Sequence, residues 1–342
     1  MRSTIYSVLV LALTAVVVGT PRPVVMWHGL GDSYQSNGMV RMASIIRDMY
    51  PDIFIHSVYL DEDPEKDSKA SLFGKLDEQV AQVCEQLAGI EELKDGFDAL
   101  GFSQGGLFMR AYVERCNVPR VHKLITFGSP QNGVADFPPC DSKKDLVCRR
   151  RNALLKTQAY TKYTQDTLTV AQYYRDTKQY TKYLEMSGFL ADINNERQSK
   201  NAQYKENLSS LDLFVMFEFS EDTTVVPKES AWFGELDLSS KLLPGIKPLA
   251  RQPMYIEDWI GLRSLDTQNK LAFRTLEGRH MLIKNETVVD VAEKYLGTEV
   301  VSEQEEQVAQ QQLEQVSEQQ AQTKHSLGML SQEYALRLGV FV

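Results

Sequence analysis

The chain has 342 residues, 43% of them hydrophobic and 24% charged, with a formal net charge of −9 at pH 7. That length can bury the core of one large domain, and the acidic balance argues against nucleic acid as a partner. Seven Glu against two Lys/Arg from Thr298 to Val342 put five of the nine net charges in the C-terminal tail, so the body is only mildly acidic.

Arg2 precedes an apolar run from Val8 to Val18, and Gly19, Thr20 and Pro21 follow it. A positive start, an apolar stretch and a small residue before a cleavage point predict a signal peptide over 1–20. The run is shorter than the ~20 residues a membrane span needs, and no later stretch is longer, so no stable span is expected. Four cysteines, Cys84, Cys116, Cys140 and Cys148, fit disulfides in an oxidising compartment. Three pairings are open at this point. No C-x-x-C spacing is present, so neither zinc nor redox chemistry is expected, and no cofactor is called for. Asn207-Leu-Ser209 and Asn285-Glu-Thr287 are glycosylation sequons.

Val24 to Trp27 is a continuous apolar run, suited to a strand buried on both faces of a parallel sheet. It ends in His28-Gly29-Leu30-Gly31-Asp32-Ser33, the kind of loop that open α/β sheets place at a site. Helical spacing follows over Met39 to Met49, then a strand over Ile53 to Val58, then a helix over Leu72 to Leu87 with Leu72, Leu76, Val80, Val83 and Leu87 on one face.

Phe97 to Phe102 is the next strand, and Gly101-Phe102-Ser103-Gln104-Gly105 is a G-x-S-x-G turn leading into a helix that runs to Cys116. Such a turn is a nucleophile elbow: it lifts a serine clear of the sheet and aims a helix N-terminus at the same point. A strand over Val121 to Phe127 follows. Alternation of strand and helix predicts a parallel sheet.

From about 137 to 210 the chain turns helical, polar and tyrosine-rich, as a cap inserted into a core domain would. Leu211 to Phe219 resumes the sheet, Leu271 to Leu276 is a last strand, and a helix over Val288 to Leu296 closes a domain spanning 21–297. The Gln/Glu-rich tail, 298–342, predicts disorder or a frayed helix.

A serine alkoxide does not form unaided near neutral pH. The hydroxyl needs a base, and the base needs a carboxylate to fix its tautomer. In α/β-hydrolases the chain order is Ser, acid, His. Of five histidines, only His280 and His325 lie beyond the elbow and a later acid, and His325 sits in the low-complexity tail. His280 is therefore the candidate base. Asp222 stands directly after the most apolar strand of the second half and is the candidate acid, with Asp258 as runner-up. Amides of Gln104 and of Leu30 are the candidate oxyanion donors. His28, before two glycines, reads as a residue that organises its loop.

At these positions the chain resembles palmitoyl-protein thioesterases of the lysosomal type. The matching stretches are Trp27-His28-Gly29-Leu30-Gly31-Asp32-Ser33, Gly101-Phe102-Ser103-Gln104-Gly105-Gly106, Phe127-Gly128-Ser129-Pro130-Gln131-Asn132-Gly133-Val134, Phe189-Leu190-Ala191-Asp192-Ile193-Asn194, Trp232-Phe233-Gly234 and Glu277-Gly278-Arg279-His280. The resemblance implies an α/β-hydrolase fold with a helical cap that helps to form an apolar acyl groove. It implies a lysosomal or secreted enzyme that removes long-chain fatty acyl groups from cysteines of lipidated proteins, through an acyl-serine intermediate. It supports Ser103, Asp222 and His280 as the triad and Leu30 and Gln104 as oxyanion donors. It also pairs Cys84 with Cys116 and Cys140 with Cys148. The chain departs from the family at Tyr34-Gln35, where adjacent cysteines can stand, at Tyr174, where Trp is expected, and in its glutamine-rich tail. A lipase or carboxylesterase acting on oxygen esters, or a non-catalytic lipid-binding protein on the same fold, are the alternative readings.

Overall fold

A computed structural model describes residues 20–137, 140, 145–237, 245–297 and 299–300. Pro21–Thr298 form one compact unit; 1–20 with 299–342 form a second, of which only Thr20, Glu299 and Val300 are described. The expected signal peptide and tail fall almost wholly outside the described residues, as does the side chain of Cys148 and with it the Cys140–Cys148 pairing.

The core of the larger unit is a six-stranded parallel sheet. Its strands are β1 (Val24–Trp27), β2 (Ile55–Ser57), β3 (Phe97–Phe102), β4 (Val121–Phe127), β5 (Leu213–Phe219) and a last strand, Leu271–Leu276, in the spatial order β2-β1-β3-β4-β5-last. Every pairing is parallel. The apolar runs bury both faces by simple alternation. Val24 and Met26 of β1, Leu100 and Phe102 of β3, and Val215 and Phe217 of β5 pack with one cluster; Val25, Trp27, Ala99, Phe214 and Met216 pack with the other. Between β3 and β4 the register shifts, Asp98 facing both His122 and Lys123, as a bulge requires.

Helix α1 (Asn37–Met49) buries Met39, Met42 and Ile46 on the first face, beside the C-terminal helix Asn285–Tyr295, which begins three residues before its expected start at Val288. The other face is covered by α3 (Leu76–Ala88) and α4 (Gln104–Arg115). Cys84 of α3 and Cys116, the C-cap of α4, form a disulfide with Cα atoms 6.1 Å apart, the pairing the resemblance implied.

One expected element divides in two. The helix read over Leu72 to Leu87 is two helices, α2 (Pro64–Leu72) and α3, separated by Phe73-Gly74-Lys75. Gly74 has φ +123°, a conformation closed to other residues, and it ends any continuous helix there. Leu76, Val80, Val83 and Leu87 do share a buried face, but Leu72 is 37% exposed and belongs to α2.

Between β4 and β5 the chain leaves the sheet and forms a series of short helices. They run from α5 (Leu146–Gln158), α6 (Lys162–Thr167) and α7 (Thr169–Gln172) through α8 (Tyr180–Met186) and α9 (Leu190–Ile193) to α10 (Ala202–Ser209). Tyr160, Tyr173, Tyr174 and Tyr183 are buried within them, whereas Tyr163 is exposed. Among the described residues no helix is long and apolar enough to cross a membrane.

Candidate active site

The site lies where the strand order reverses. From β1 the chain crosses to one side to make β2, then to the other to make β3, so the loops after β1 and β3 open a crevice at the C-terminal edge of the sheet. The loop after β1 is His28-Gly29-Leu30-Gly31; the turn after β3 carries Ser103.

Ser103 holds φ +51° and ψ −122°, a strained position for a residue with a side chain. Its neighbours make the turn possible. A Cβ on Gly101 would stand 2.2 Å from Gly106 Cα, and one on Gly105 would stand 2.3 Å from the carbonyl oxygens of both Trp27 and His28. Only glycine lets the first turn of α4 press against β1 this closely, and the Ser103 amide is tied to Phe127 O at 2.8 Å.

Three side chains from three strand ends meet here. His280 follows the last strand; its Nε2 is 3.0 Å from Ser103 Oγ, and its Nδ1 is 2.6 Å from Asp222 Oδ2. Asp222 follows β5, and its Oδ1 accepts hydrogen bonds from the amides of Thr224 at 2.8 Å and Val225 at 3.0 Å. A carboxylate that accepts Nδ1–H leaves Nε2 free to accept the serine proton, which is the tautomer a general base needs. The Asp222 side chain is 2% exposed and that of His280 14%, so the pair is screened from water while the imidazole still faces the crevice.

A cavity of about 390 Å³ opens over Ser103 and His280. Its walls are mostly apolar: Met39 and Met42 from α1, Phe102, Val134, Val225, Met281 and Ile283, with Val170 and Tyr173 from the inserted helices. Asp32, Arg41 and Asp136 also line it. Leu30 is part of the wall, and Gln104 is buried at the start of α4.

A family model described as palmitoyl protein thioesterase matches residues 23–280. The chain belongs to the palmitoyl protein thioesterase family. The family's reaction is hydrolysis of a fatty acyl thioester, and the chain is a hydrolase of that class. It is 35% identical over 280 residues to palmitoyl-protein thioesterase 1 of Caenorhabditis elegans, covering 80% of this chain and 91% of that one. It is 38% identical over 277 residues to palmitoyl-protein thioesterase 3 of Dictyostelium discoideum, covering 80% and 90%. A more distant relative, named lysosomal thioesterase PPT2, from Rattus norvegicus, is 28% identical over 249 residues, covering 72% and 78%.

The remaining expected positions fall as follows. The runner-up acid Asp258 is bound to Lys205 at 2.9 Å and to the Arg263 amide at 2.9 Å, whereas the candidate base His280 has Asp222 as its partner. His28 is 2% exposed, with Nε2 3.0 Å from Asp67 Oδ2, close but poorly aligned for a hydrogen bond. This suits a residue that anchors its loop. Asn207 lies in α10, with Nδ2 donating to Glu114 O at 3.0 Å, and Asn285 is exposed and accepts from Arg41.

Helix α2 was missed, and it supports the site. Asp67, fully buried, accepts from the amides of Leu60 at 2.8 Å and Tyr34 at 2.9 Å. Burial alone would raise the Asp67 carboxyl. The contact with His28 and the two amides outweigh that and hold it below the usual aspartate range, so it stays ionised. The Asp63 N-cap and Pro64 at the first helical position were the available signal.

Proposed function

We propose that Ser103, His280 and Asp222 carry the thioester hydrolysis of this chain. His280 Nε2 takes the hydroxyl proton as Ser103 Oγ attacks the acyl carbonyl, and the new oxyanion is met by the amides of Leu30 and Gln104. The C–S bond breaks, the cysteine sulfur leaves with the proton held on His280, and the acyl group stays on Ser103. A water then gives its proton to His280 and adds to the acyl-serine carbonyl; the C–Oγ bond breaks as His280 returns that proton to Ser103 Oγ, and the fatty acid is released. A thiol with a pKa of about 8.5 is an easier leaving group than an alcohol, so this route needs less acid assistance than ester cleavage.

The observation that carries the reading is the hydrogen-bonded chain from Ser103 through His280 to Asp222, with Ser103 and His280 lining an apolar cavity. A flexible acyl chain suits those walls, which offer methionine and branched aliphatic contacts. The substrates are S-acylated cysteines of proteins or peptides with long-chain fatty acids. The compartment we infer is the secretory pathway, ending in the lysosome or outside the cell. The Cys84–Cys116 disulfide, the name of the more distant relative and the predicted signal peptide over 1–20 support it. Turnover of an S-palmitoyl cysteine peptide, compared with the matched O-palmitoyl serine peptide, tests the reaction class. The thioester should be cleaved faster; a preference for the oxygen ester would make the protein an esterase.

A further inference from the structure

Ser71, near the C-terminal end of α2 and 2% exposed, touches both halves of the oxyanion site from behind. Its hydroxyl accepts the Gly31 amide at 2.7 Å and donates to Ser68 O at 2.6 Å. Ser68 Oγ in turn donates to Gly31 O at 2.9 Å, so both polar groups of the residue after Leu30 are held by hydroxyls of one helix. The Ser71 carbonyl points the other way. It accepts Gln104 Nε2 at 2.8 Å, and Gln104 Oε1 accepts the hydroxyl of Tyr173 at 3.0 Å. Thr169 Oγ1, at the start of α7, donates to the same Ser71 carbonyl at 2.8 Å.

The loop after β1 and the first turn of α4 are separate pieces of chain, and the two candidate donors reside one on each. An oxyanion site works only if both amides are held where charge will develop, because reorientation during the reaction cancels the gain. We propose that Ser71 is a positioning residue that sets the spacing of the two oxyanion donors, its hydroxyl fixing the Leu30–Gly31 peptide and its carbonyl fixing Gln104. This rests on the reading of Leu30 and Gln104 as the donors. Ser71 does not touch the substrate; it acts through the two segments it ties.

The test separates a positioning role from a merely structural one. Two probes are used with purified full-length chain: a long-chain trifluoromethyl ketone, which adds Ser103 Oγ to form a hemiketal oxyanion, and a hexadecyl thioether of the substrate peptide, which lacks the acyl carbonyl on sulfur. Ser71→Ala should lower kcat/KM roughly tenfold to a hundredfold, the size expected of a misplaced catalytic group. It should weaken ketone inhibition by the same factor and leave thioether binding unchanged. Wild-type kcat/KM in Ser71→Ala, or a loss shared equally by the thioether, overturns the proposal. Should Ser71→Ala not fold, Ser71→Cys, close in size with a weaker acceptor, is read by the same ratio of ketone to thioether binding, and a wild-type ratio overturns it. Ser103→Ala is measured alongside. Activity in that variant refutes the underlying triad reading, whereas an inactive Ser103→Ala beside a fully active Ser71→Ala refutes only the role of Ser71.

Discussion

Both oxygens of the Asp222 carboxylate are engaged, Oδ1 by two backbone amides and Oδ2 by His280. Asp222→Asn keeps the shape but presents an amide to Nδ1 or loses an acceptor for the loop, and the imidazole then adopts the wrong tautomer. A fall in kcat of roughly ten-thousandfold is expected, the scale known for that change in a serine protease triad, with KM little altered; steady-state kinetics on a thioester substrate check it. A second residue pair bears on pH. Arg110 is fully buried, and all its N–H groups are used: on Gln131, Glu114, Ile193 O and Asn194. Its partner Glu114 has one oxygen, Oε2, with no hydrogen bond. Burial pushes the Glu114 carboxyl up to about 7, with Arg110 opposing without cancelling the shift. The folded state therefore holds the proton more tightly than the unfolded one. The resulting stabilisation is complete below about 4.5 and is lost as pH rises through about 7. Glu114→Gln should flatten the decline of Tm between pH 5 and 8; an unchanged slope would mean that Glu114 does not titrate there.

At the scale of elements, the inserted helices bring Val170 and Tyr173 to the wall of the cavity, and α1 brings Met39 and Met42. Each methylene an acyl chain buries there is worth about 0.8 kcal/mol, roughly fourfold in kcat/KM. Activity should climb with chain length until the cavity is full, and Val170→Phe should move that plateau to a shorter chain. A series of acyl-cysteine thioesters measures both; no change of plateau in Val170→Phe would remove that wall from the acyl site. The elements around the cavity were unequally legible in the sequence. β1, β3 and β5 are short apolar runs, and their burial on two faces leaves few other readings. His280 followed from chain order, because the other late histidine lies in a segment with too few apolar residues to pack. Helix α2 shows only its Asp63-Pro64 start in the sequence, for a physical reason. The residues it buries are Asp67 and Ser71, polar groups satisfied by hydrogen bonds, so no apolar stripe marks its face. Leu72 was then drawn into the pattern of α3, across a glycine whose left-handed φ the sequence does not display.

At the scale of the molecule, the disulfide staples the two helices on one side of the sheet, and one of them is the helix that begins directly after Ser103. It closes a loop of 32 residues in sequence, for which chain entropy predicts a stabilisation of about 3–4 kcal/mol. Replacing both Cys84 and Cys116 by Ala should lower the midpoint of urea unfolding accordingly while leaving kcat of the folded fraction near wild type. Loss of kcat in a folded double variant would mean that the staple sets the geometry of α4 as well as its stability. In the proposed reaction one serine, lifted by the turn after β3, performs acyl transfer from sulfur. The most direct measurement is hydrolysis of an S-palmitoyl cysteine peptide by the purified chain and by Ser103→Ala, with mass spectrometry of the quenched wild-type reaction. Turnover in the wild type alone and a palmitoyl adduct on Ser103 are expected; turnover retained in Ser103→Ala, or an adduct on another residue, would overturn the role proposed for Ser103.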